Sequence, residues 1–155
     1  IKGAIMILKY EAPYEIKAQL QGDVGLDIKS IEDVVLRPGE TRVVKTGLRV
    51  ELPAGYEAQV RPRSSISKKG ILVHLGTVDN EYRGEIGVTV TNLASSGDKS
   101  WAEVSLSHPK TYKIKKGDRI AQLVVKKYEE VELIKVQEVE DNTERGSKGY
   151  GSTGR

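Results

Sequence analysis

The stretch VVLRPGETRVVKTGLRVEL, residues 34–52, decides the fold class. Its runs of valine and leucine alternate with polar residues, and Pro38-Gly39 separates the first two runs. Alternation with a period of two predicts β-strands that bury one face, and a Pro-Gly pair favours a tight turn. This stretch therefore predicts consecutive antiparallel strands.

The same alternation continues along the rest of the chain, and turn-forming residues separate the segments. Windows with helical periodicity are nearly missing, apart from one short helix predicted near Ser64-Ser65, where a serine hydroxyl can cap the first N–H groups. Short strands at this spacing predict an all-β barrel or sandwich. The further predicted strands are YEAQVRP (56–62), EIGVTVTN (85–92), WAEVSLS (101–107), RIAQLVVKKY (119–128) and VELIKVQEV (131–139).

The composition excludes several classes of function. Cysteine is absent, which rules out disulfides, thiolate catalysis and cysteine-ligated metal centres, and the only histidines, His74 and His108, form no metal-binding pair. The net charge is +3, but the charges are interleaved and aromatic residues make up 5%, so no nucleic-acid partner is predicted. No apolar run is long enough to cross a membrane. We expect a cytoplasmic, intracellular protein without a signal peptide.

The chain is long enough for one domain, and its composition changes near the end. From about Glu138 it is rich in glycine, serine and charge, with nothing to build a core face. We predict a β-barrel domain over residues 1–140 and a flexible C-terminal arm over residues 141–155. The arm contains GxGxxG at 149–154, but this string follows no strand and opens no βαβ unit, so a dinucleotide-binding fold is rejected.

Two strings place candidate chemistry on or beside strands. In VGLDI (24–28), Asp27 alternates with apolar neighbours, which fits either a metal site or a plain exposed residue. In GDRIAQLVV (117–125), Gln122 lies within an apolar strand. A buried amide must find hydrogen-bond partners, so it contacts either the backbone or a ligand.

Two further strings fall at turns. PRSSIS (62–67) joins an arginine to hydroxyls at a helix start, which favours an anion or marks an ordinary N-cap. GTVDNEYRGE (76–85) places Asp79 and Tyr82 at a turn between apolar arms, as either a reactive site or a solvated hairpin tip. Neither string is specific when taken alone.

Together, the order and spacing of these strings resemble the five motifs of the trimeric dUTP diphosphatase (dUTPase) family, from Val24 to Gly154. The resemblance implies a jelly-roll-like β-barrel of the dUTPase β-clip type, with one short helix. It also implies a homotrimer with active sites at subunit interfaces, each closed by the arm of a neighbouring subunit. The matching strings are VGLDI, PRSSIS, GTVDNEYRGE, GDRIAQLVV and RGSKGYGSTG (145–154).

The implied reaction is hydrolysis of dUTP to dUMP and pyrophosphate. Asp79 matches the catalytic aspartate that activates the attacking water, and Tyr82 matches the tyrosine that packs under deoxyribose and rejects a 2′-hydroxyl. The family reads uracil with the backbone of the motif-three hairpin, which maps here to positions that include Gly76 and Val78.

The resemblance also implies a phosphate site and a metal ion. Asp27 matches the aspartate that holds Mg²⁺ through its waters, and a lid motif begins at Arg145, which is expected on the γ-phosphate. Tyr150 stands where the family usually has a phenylalanine stacked over uracil. The expected phosphate ligands are Arg63, Ser64, Ser65, Gln122, Gly151, Ser152 and Thr153.

Two rivals share the fold. A dCTP deaminase needs a glutamate on the second arm of the hairpin, where this chain has Thr89, so deamination is disfavoured. A non-catalytic nucleotide-sensing regulator is the other, and the presence of Asp79, Tyr82 and Arg145 argues against it. The segment from Ser95 to Ser107 matches no motif.

Overall fold

A computed structural model of the chain describes residues 6–17, 22–97, 99–140, 142–144 and 146–147. Short β-strands dominate these residues, with one α-helix, α1 (Ser64–Ser67), and one 3₁₀ helix (Trp101–Glu103). The all-β prediction with one short helix is confirmed. The strands are β1 (Lys9–Glu11), β2 (Leu26–Lys29), β3 (Val34–Leu36), β4 (Thr41–Val44), β5 (Arg49–Glu51), β6 (Tyr56–Arg61), β7 (Ile71–Val73), β8 (Gly76–Val78), β9 (Val88–Asn92), β10 (Tyr112–Ile114) and β11 (Arg119–Lys127).

The strands form two larger sheets and two strand pairs, all antiparallel. The larger sheets have the orders β2-β11-β6-β8 and β4-β9-β7, and the pairs are β1-β5 and β10-β3. Each predicted turn in the opening stretch is present where a strand ends. Between β3 and β4, Gly39 has φ +78° and the Glu40 N–H donates to the Arg37 carbonyl at 3.0 Å. A Pro-Gly type II turn requires this positive φ.

The hydrophobic core comes from alternate residues of these strands, as the period-two pattern predicts. On β6, Ala58 and Val60 are buried, and on β9 Val88 and Val90 are buried. Ile28 of β2 joins the same core. Burial of such side chains contributes about 1.5–3 kcal/mol each, which keeps the registers of the sheets in place. No helix in the described part of the chain is long and apolar enough to cross a membrane.

The strand prediction for WAEVSLS is wrong. Residues 101–103 form the 3₁₀ helix, and turns follow it. The Ser100 hydroxyl and N–H both donate to the Glu103 carboxylate, and these hydrogen bonds hold the pKa of that carboxyl below its usual range. Serine side chains that form local hydrogen bonds compete with a strand ladder. Among residues 102–107, Val104 is the buried apolar side chain.

The strand prediction for VELIKVQEV is also wrong for the single chain. Residues 131–139 contain no strand, and their apolar side chains are 56–91% exposed. The last ladder ends at Lys127, and the Tyr128 N–H then bonds the Gly55 carbonyl at 3.1 Å. Alternating polarity produces a strand only where a partner strand is available.

The short helix lies where it was predicted, but its N-cap differs. The cap residue is Arg63, and no side chain caps the helix. The Ser67 hydroxyl instead donates to the Arg63 carbonyl at 3.3 Å. The serines of PRSSIS are therefore not N-cap residues.

Candidate active site

A polar cavity of about 1050 Å³ opens at one end of the β2-β11-β6-β8 sheet. It brings together the candidate residues of three motifs that are far apart in sequence. Asp27, Arg63, Ser64, Ser65 and Gln122 all line it. Its other lining residues are Glu15, Lys17, Asp23, Val24, Gly25, Lys29, Gly117 and Arg119.

Strand register explains why these motifs meet. Asp27 of β2 is the cross-strand partner of Gln122 on β11, and Gln122 in turn opposes Arg61 of β6. Opposed residues of an antiparallel pair lie about 4.5–5.5 Å apart, so the three strands carry their polar residues to one place. Pro62 and Arg63 then continue from the end of β6 to the cavity.

Asp27 is held between two guanidinium groups. Its Oδ1 accepts from Arg63 Nε at 2.9 Å and its Oδ2 accepts from Arg119 Nη1 at 3.1 Å. The Asp27 side chain is 37% exposed and that of Arg63 is 22% exposed. Arg63 is therefore fixed at the cavity wall with further N–H donors available for an anion.

Arg119 is a site residue that sequence reasoning missed. It opens β11 within GDRIAQLVV, and its backbone carbonyl also accepts from Arg63 Nη1 at 3.3 Å. An arginine at the start of an apolar strand is usually a solvated surface residue, so the sequence did not indicate that Arg119 belongs to the site. Only the pairing of β11 with β2 brings it to Asp27.

Gln122 satisfies its amide with the backbone. Its Nε2 donates to the Pro62 carbonyl at 2.8 Å, which ties the segment leading into Arg63 to β11. Its Oε1 lies against Gly25, where an added Cβ would stand 2.0 Å from it. Gly25 is therefore required by close packing of β2 against the Gln122 side chain.

The motif-three turn carries Asp79 and lies elsewhere on the chain. Asp79 directly follows β8, is exposed, and accepts the Tyr82 N–H with its carbonyl at 3.1 Å. The Asn80 amide anchors this turn by donating to the carbonyls of Pro53 at 2.6 Å and Tyr56 at 3.0 Å. Within the described residues, the Asp79 carboxylate has no hydrogen bond or ion pair.

Tyr82 is 46% exposed, and its position is set by two neighbours. Its hydroxyl donates to the Glu85 carbonyl at 2.9 Å. The phenol lies on Gly84, where an added Cβ would stand 2.3 Å from Oη. Any side chain at Gly84 would therefore displace Tyr82.

The two arms of the motif-three hairpin pair at one end and separate at the other. β7 pairs with β9, and the His74 N–H still bonds the Thr89 carbonyl at 2.9 Å. Beyond this point, β8 leaves β9 and pairs with β6, so that Gly76 opposes Val60 and Val78 opposes Ala58. Val78 is buried, which leaves the backbone as the part of this arm that a ligand can read.

Asp79 and the cavity lie at opposite ends of β6. Because Val78 opposes Ala58, Asp79 lies level with Glu57, six residues before Arg63. At about 3.3 Å per extended residue, the separation along the strand is about 20 Å. One chain therefore does not bring Asp79 to the cavity residues.

The candidates of the fifth motif, Arg145, Tyr150, Gly151, Ser152 and Thr153, lie outside the described residues. Of the predicted arm over residues 141–155, the structure describes residues 142–144 and 146–147. The roles of the fifth-motif residues stay predictions, and so does the domain boundary at residue 140.

Known proteins with similar sequences include deoxyuridine 5′-triphosphate nucleotidohydrolases from several bacteria. The chain is 42% identical to the deoxyuridine 5′-triphosphate nucleotidohydrolase of Nautilia profundicola, and the alignment covers 88% of each chain. It is 36% identical to the enzyme of the same name from Fusobacterium nucleatum, with 99% of each chain covered.

Solved structures agree with the sequence comparison. The dUTPase of Staphylococcus bacteriophage 80alpha, in complex with dUPNHPP, matches with a TM-score of 0.84 and 32% identity, over 96% of this chain and 99% of that one. The dUTPase of phage phi11 of S. aureus, described as having a species-specific insert, matches with a TM-score of 0.75 and 32% identity, over 87% of this chain and 99% of that one. The β-clip prediction is confirmed by these neighbours.

The family model described as dUTPase matches residues 14–97 and 103–154. The unmatched residues 98–102 fall inside the segment from Ser95 to Ser107 that resembles no motif. This match covers most of the chain, and the motif residues lie within it. The chain belongs to the dUTPase family, the enzymes that hydrolyse dUTP.

Proposed function

We propose that this enzyme converts dUTP and water to dUMP and pyrophosphate, at a site shared between subunits. The observation that carries the proposal is the convergence of Asp27, Arg63 and Gln122 on one cavity, with the motif-three turn held apart. The cavity supplies donors for a polyphosphate, because two guanidinium groups and two serine hydroxyls line it. Hydrogen-bond donors of this kind would also bind other anions, so the substrate itself is argued from the family.

In the proposed reaction, a water oxygen forms a bond to the α-phosphorus while the bond from that phosphorus to the oxygen bridging the α- and β-phosphates breaks. Asp79 accepts a proton from the water, and pyrophosphate leaves with the bridging oxygen. Arg63 and Gln122 orient the phosphate oxygens for this in-line displacement, with Ser64 and Ser65 as further donors. Tyr82 packs beneath the deoxyribose, and the separated arms beyond His74 read uracil through their backbone groups.

The proposed site needs more than one subunit. Asp79 and Arg63 are assigned to neighbouring atoms of one triphosphate, yet they lie about 20 Å apart along β6. A general base must come within about 3 Å of the proton it takes. In a homotrimer with a threefold axis, the motif-three turn of one subunit can meet the cavity of the next.

An exposed apolar segment supports this assembly. Residues 131–139 have no partner strand among the described residues, and Leu133 and Ile134 are 91% and 78% exposed. Alternating apolar side chains at this exposure are typical of a surface that another chain covers. We infer that this segment packs on a neighbouring subunit.

The donor set suits a hydrated Mg²⁺ ion bound with the substrate. Within the described residues no group of three acidic or histidine side chains could hold a metal by itself. Asp27 is a single carboxylate at the cavity, and Mg²⁺ commonly uses one carboxylate together with waters and phosphate oxygens. When bound, the ion would neutralise triphosphate charge and help align the leaving group. In the absence of substrate, Asp27 holds Arg63 and Arg119 in place.

A product assay tests this function. The purified enzyme is incubated with dUTP, UTP, dTTP or dCTP and Mg²⁺, and nucleotides and pyrophosphate are separated by chromatography. We expect dUMP and pyrophosphate from dUTP, little turnover of the other three, and loss of activity in EDTA that excess Mg²⁺ restores. Conversion of dCTP to a uracil nucleotide would show a deaminase instead. Tight binding of dUTP without products would show a nucleotide sensor.

A further inference from the structure

The Glu85 carboxylate is bound by a pair of adjacent backbone N–H groups. Its Oε1 accepts from Thr46 N at 3.0 Å and from Gly47 N at 2.9 Å. Gly47 has φ +64°, and a residue of this conformation following a right-handed one lets consecutive N–H groups converge on one anion. An added Cβ at Gly47 would stand 2.6 Å from Pro13 Cδ, so the loop has little freedom to rearrange.

The loop that binds Glu85 is itself fixed in the core. Thr46 is fully buried, and its hydroxyl donates to the Ile86 carbonyl. The Ile86 N–H donates back to the Leu48 carbonyl at 2.7 Å. Burial raises the pKa of the neighbouring Tyr14 phenol, so Tyr14 stays neutral beside Glu85. Residues 85–86 are therefore held from both the side chain and the backbone.

The backbone carbonyl oxygen of Glu85 connects this rigid region to Tyr82. The Glu85 carbonyl accepts the Tyr82 hydroxyl at 2.9 Å, while the ring itself is 46% exposed. An exposed tyrosine has several accessible rotamers, and a hydrogen bond to a fixed carbonyl selects among them. The position of the phenol is thus determined by where Glu85 is held.

We propose that Glu85 is a positioning residue for sugar discrimination: its carboxylate, bound by Thr46 N and Gly47 N, holds its own carbonyl where Tyr82 must be anchored to exclude a 2′-hydroxyl. This inference rests on the proposed function, in which Tyr82 packs beneath the deoxyribose. Glu85 makes no contact with the reacting atoms. It acts on the sugar pocket through Tyr82, whose ring position it fixes.

The variants follow from the hydrogen-bond roles. Glu85→Ala removes the carboxylate, whereas Glu85→Gln retains Oε1 as an acceptor for both N–H groups. Glu81→Ala is the matched control, because Glu81 is an exposed carboxylate of the same turn without a hydrogen bond or ion pair in the described part of the chain. Tyr82→Phe removes the hydroxyl that donates to the Glu85 carbonyl. Glu85→Asp, which is one methylene too short to reach the loop, replaces Glu85→Ala if the latter does not fold.

The readout is the ratio of kcat/KM for dUTP to kcat/KM for UTP. We expect Glu85→Ala and Tyr82→Phe each to lower this ratio about tenfold, since a pocket with a misplaced wall loses discrimination of that order. Combining the two should lower it no further, because both break the same link. Glu85→Gln and Glu81→Ala should keep the wild-type ratio. A wild-type ratio in Glu85→Ala, or multiplying effects in the double variant, overturns the inference.

A second measurement separates this inference from the proposed function. In the second measurement, 3-fluorotyrosine is placed at position 82 and its fluorine NMR linewidth is recorded without substrate. A ring that moves more freely gives a narrower resonance, so the line should narrow in Glu85→Ala and stay broad in Glu85→Gln. If the resonance is unchanged by Glu85→Ala, Glu85 does not position Tyr82. If it narrows while wild type and Tyr82→Ala show equal sugar preference, the positioning stands and the sugar role assigned to Tyr82 fails.

Discussion

Asp27 and Asp79 are both candidate carboxylates, but their surroundings suit different roles. Asp27 is bound by two guanidinium groups and lines a cavity. Asp79 is exposed, and its carboxylate has no partner in the described residues. Guanidinium groups bind both oxygens of Asp27, whereas the exposed Asp79 carboxylate is open to a water molecule that it could activate.

Asp79→Asn tests the role of the general base. The amide keeps the size and most hydrogen-bond capacity of the side chain but cannot take a proton. We expect a non-hydrolysable dUTP analogue to bind with near-native affinity in calorimetry while single-turnover hydrolysis falls by about 10²–10⁴-fold. Turnover at the wild-type rate would remove Asp79 from the mechanism.

Gly25→Ala tests the contact between β2 and Gln122. The new Cβ would stand 2.0 Å from Gln122 Oε1, so the amide must move away from the Pro62 carbonyl. We expect a destabilisation of about 1–3 kcal/mol in urea unfolding, with a higher KM for dUTP because the Arg63 segment is released. In a Gln122→Ala background the same change should cost less, and an equal cost there would contradict this explanation.

At the scale of elements, the two wrong strand predictions have different causes. In residues 101–107, local serine hydrogen bonds outcompete the strand. In residues 131–139, the pattern is that of a strand, but the described residues of the chain offer no partner strand. By contrast, β11 forms a long strand because it has a partner on each edge, where β2 and β6 pair with it. Strand formation at both places was decided by what surrounds the segment.

Asn92→Ala tests the hydrogen bonds that join the end of β9 to Leu36 of β3 and to Lys110. Asn92 ends β9, is buried, and donates from its amide to the Leu36 carbonyl at 3.1 Å and the Lys110 carbonyl at 2.9 Å. Leaving these acceptors unpaired should destabilise the fold by about 1–3 kcal/mol in urea unfolding. Leu93→Ala is the control, because Leu93 is 61% exposed, and it should change stability by about 0.5 kcal/mol or less. Equal losses of stability in the two variants would show that the hydrogen bonds of Asn92 do not stabilise the fold.

At the scale of the whole molecule, the main finding is that one chain carries two separated halves of the proposed site. The sheet that brings three motifs to the cavity also directs β8 and Asp79 to the other end of β6. We propose that assembly around a symmetry axis resolves this separation, with every subunit contributing its two halves to different sites.

Mixed trimers test this shared site. Asp79→Asn and Arg63→Ala subunits, each nearly inactive alone, are co-expressed with different tags and purified by both. We expect one site in three of each mixed trimer to combine an intact Asp79 with an intact Arg63, with activity restored to about one third of the wild-type value. Arg63→Ala mixed with Gln122→Ala is the control, because both residues belong to one cavity and every site keeps a defect. Absence of restoration in the first mixture would show that each site lies within a single chain.

The sequence by itself determined most of the strands, the Pro38-Gly39 turn and the family, and it supplied the candidate residues of the site. These follow from period-two alternation, from Pro38-Gly39 and from short motifs, all of which depend on neighbours along the chain. Tertiary structure alone decided that Arg119 meets Asp27 and that Glu85 is bound at Thr46 and Gly47. It also decided that residues 131–139 pair with no strand in the part of the chain that the structure describes. The reason is that strand register and loop packing join residues distant in sequence, and no local pattern specifies which strand edge or backbone N–H group a side chain will reach.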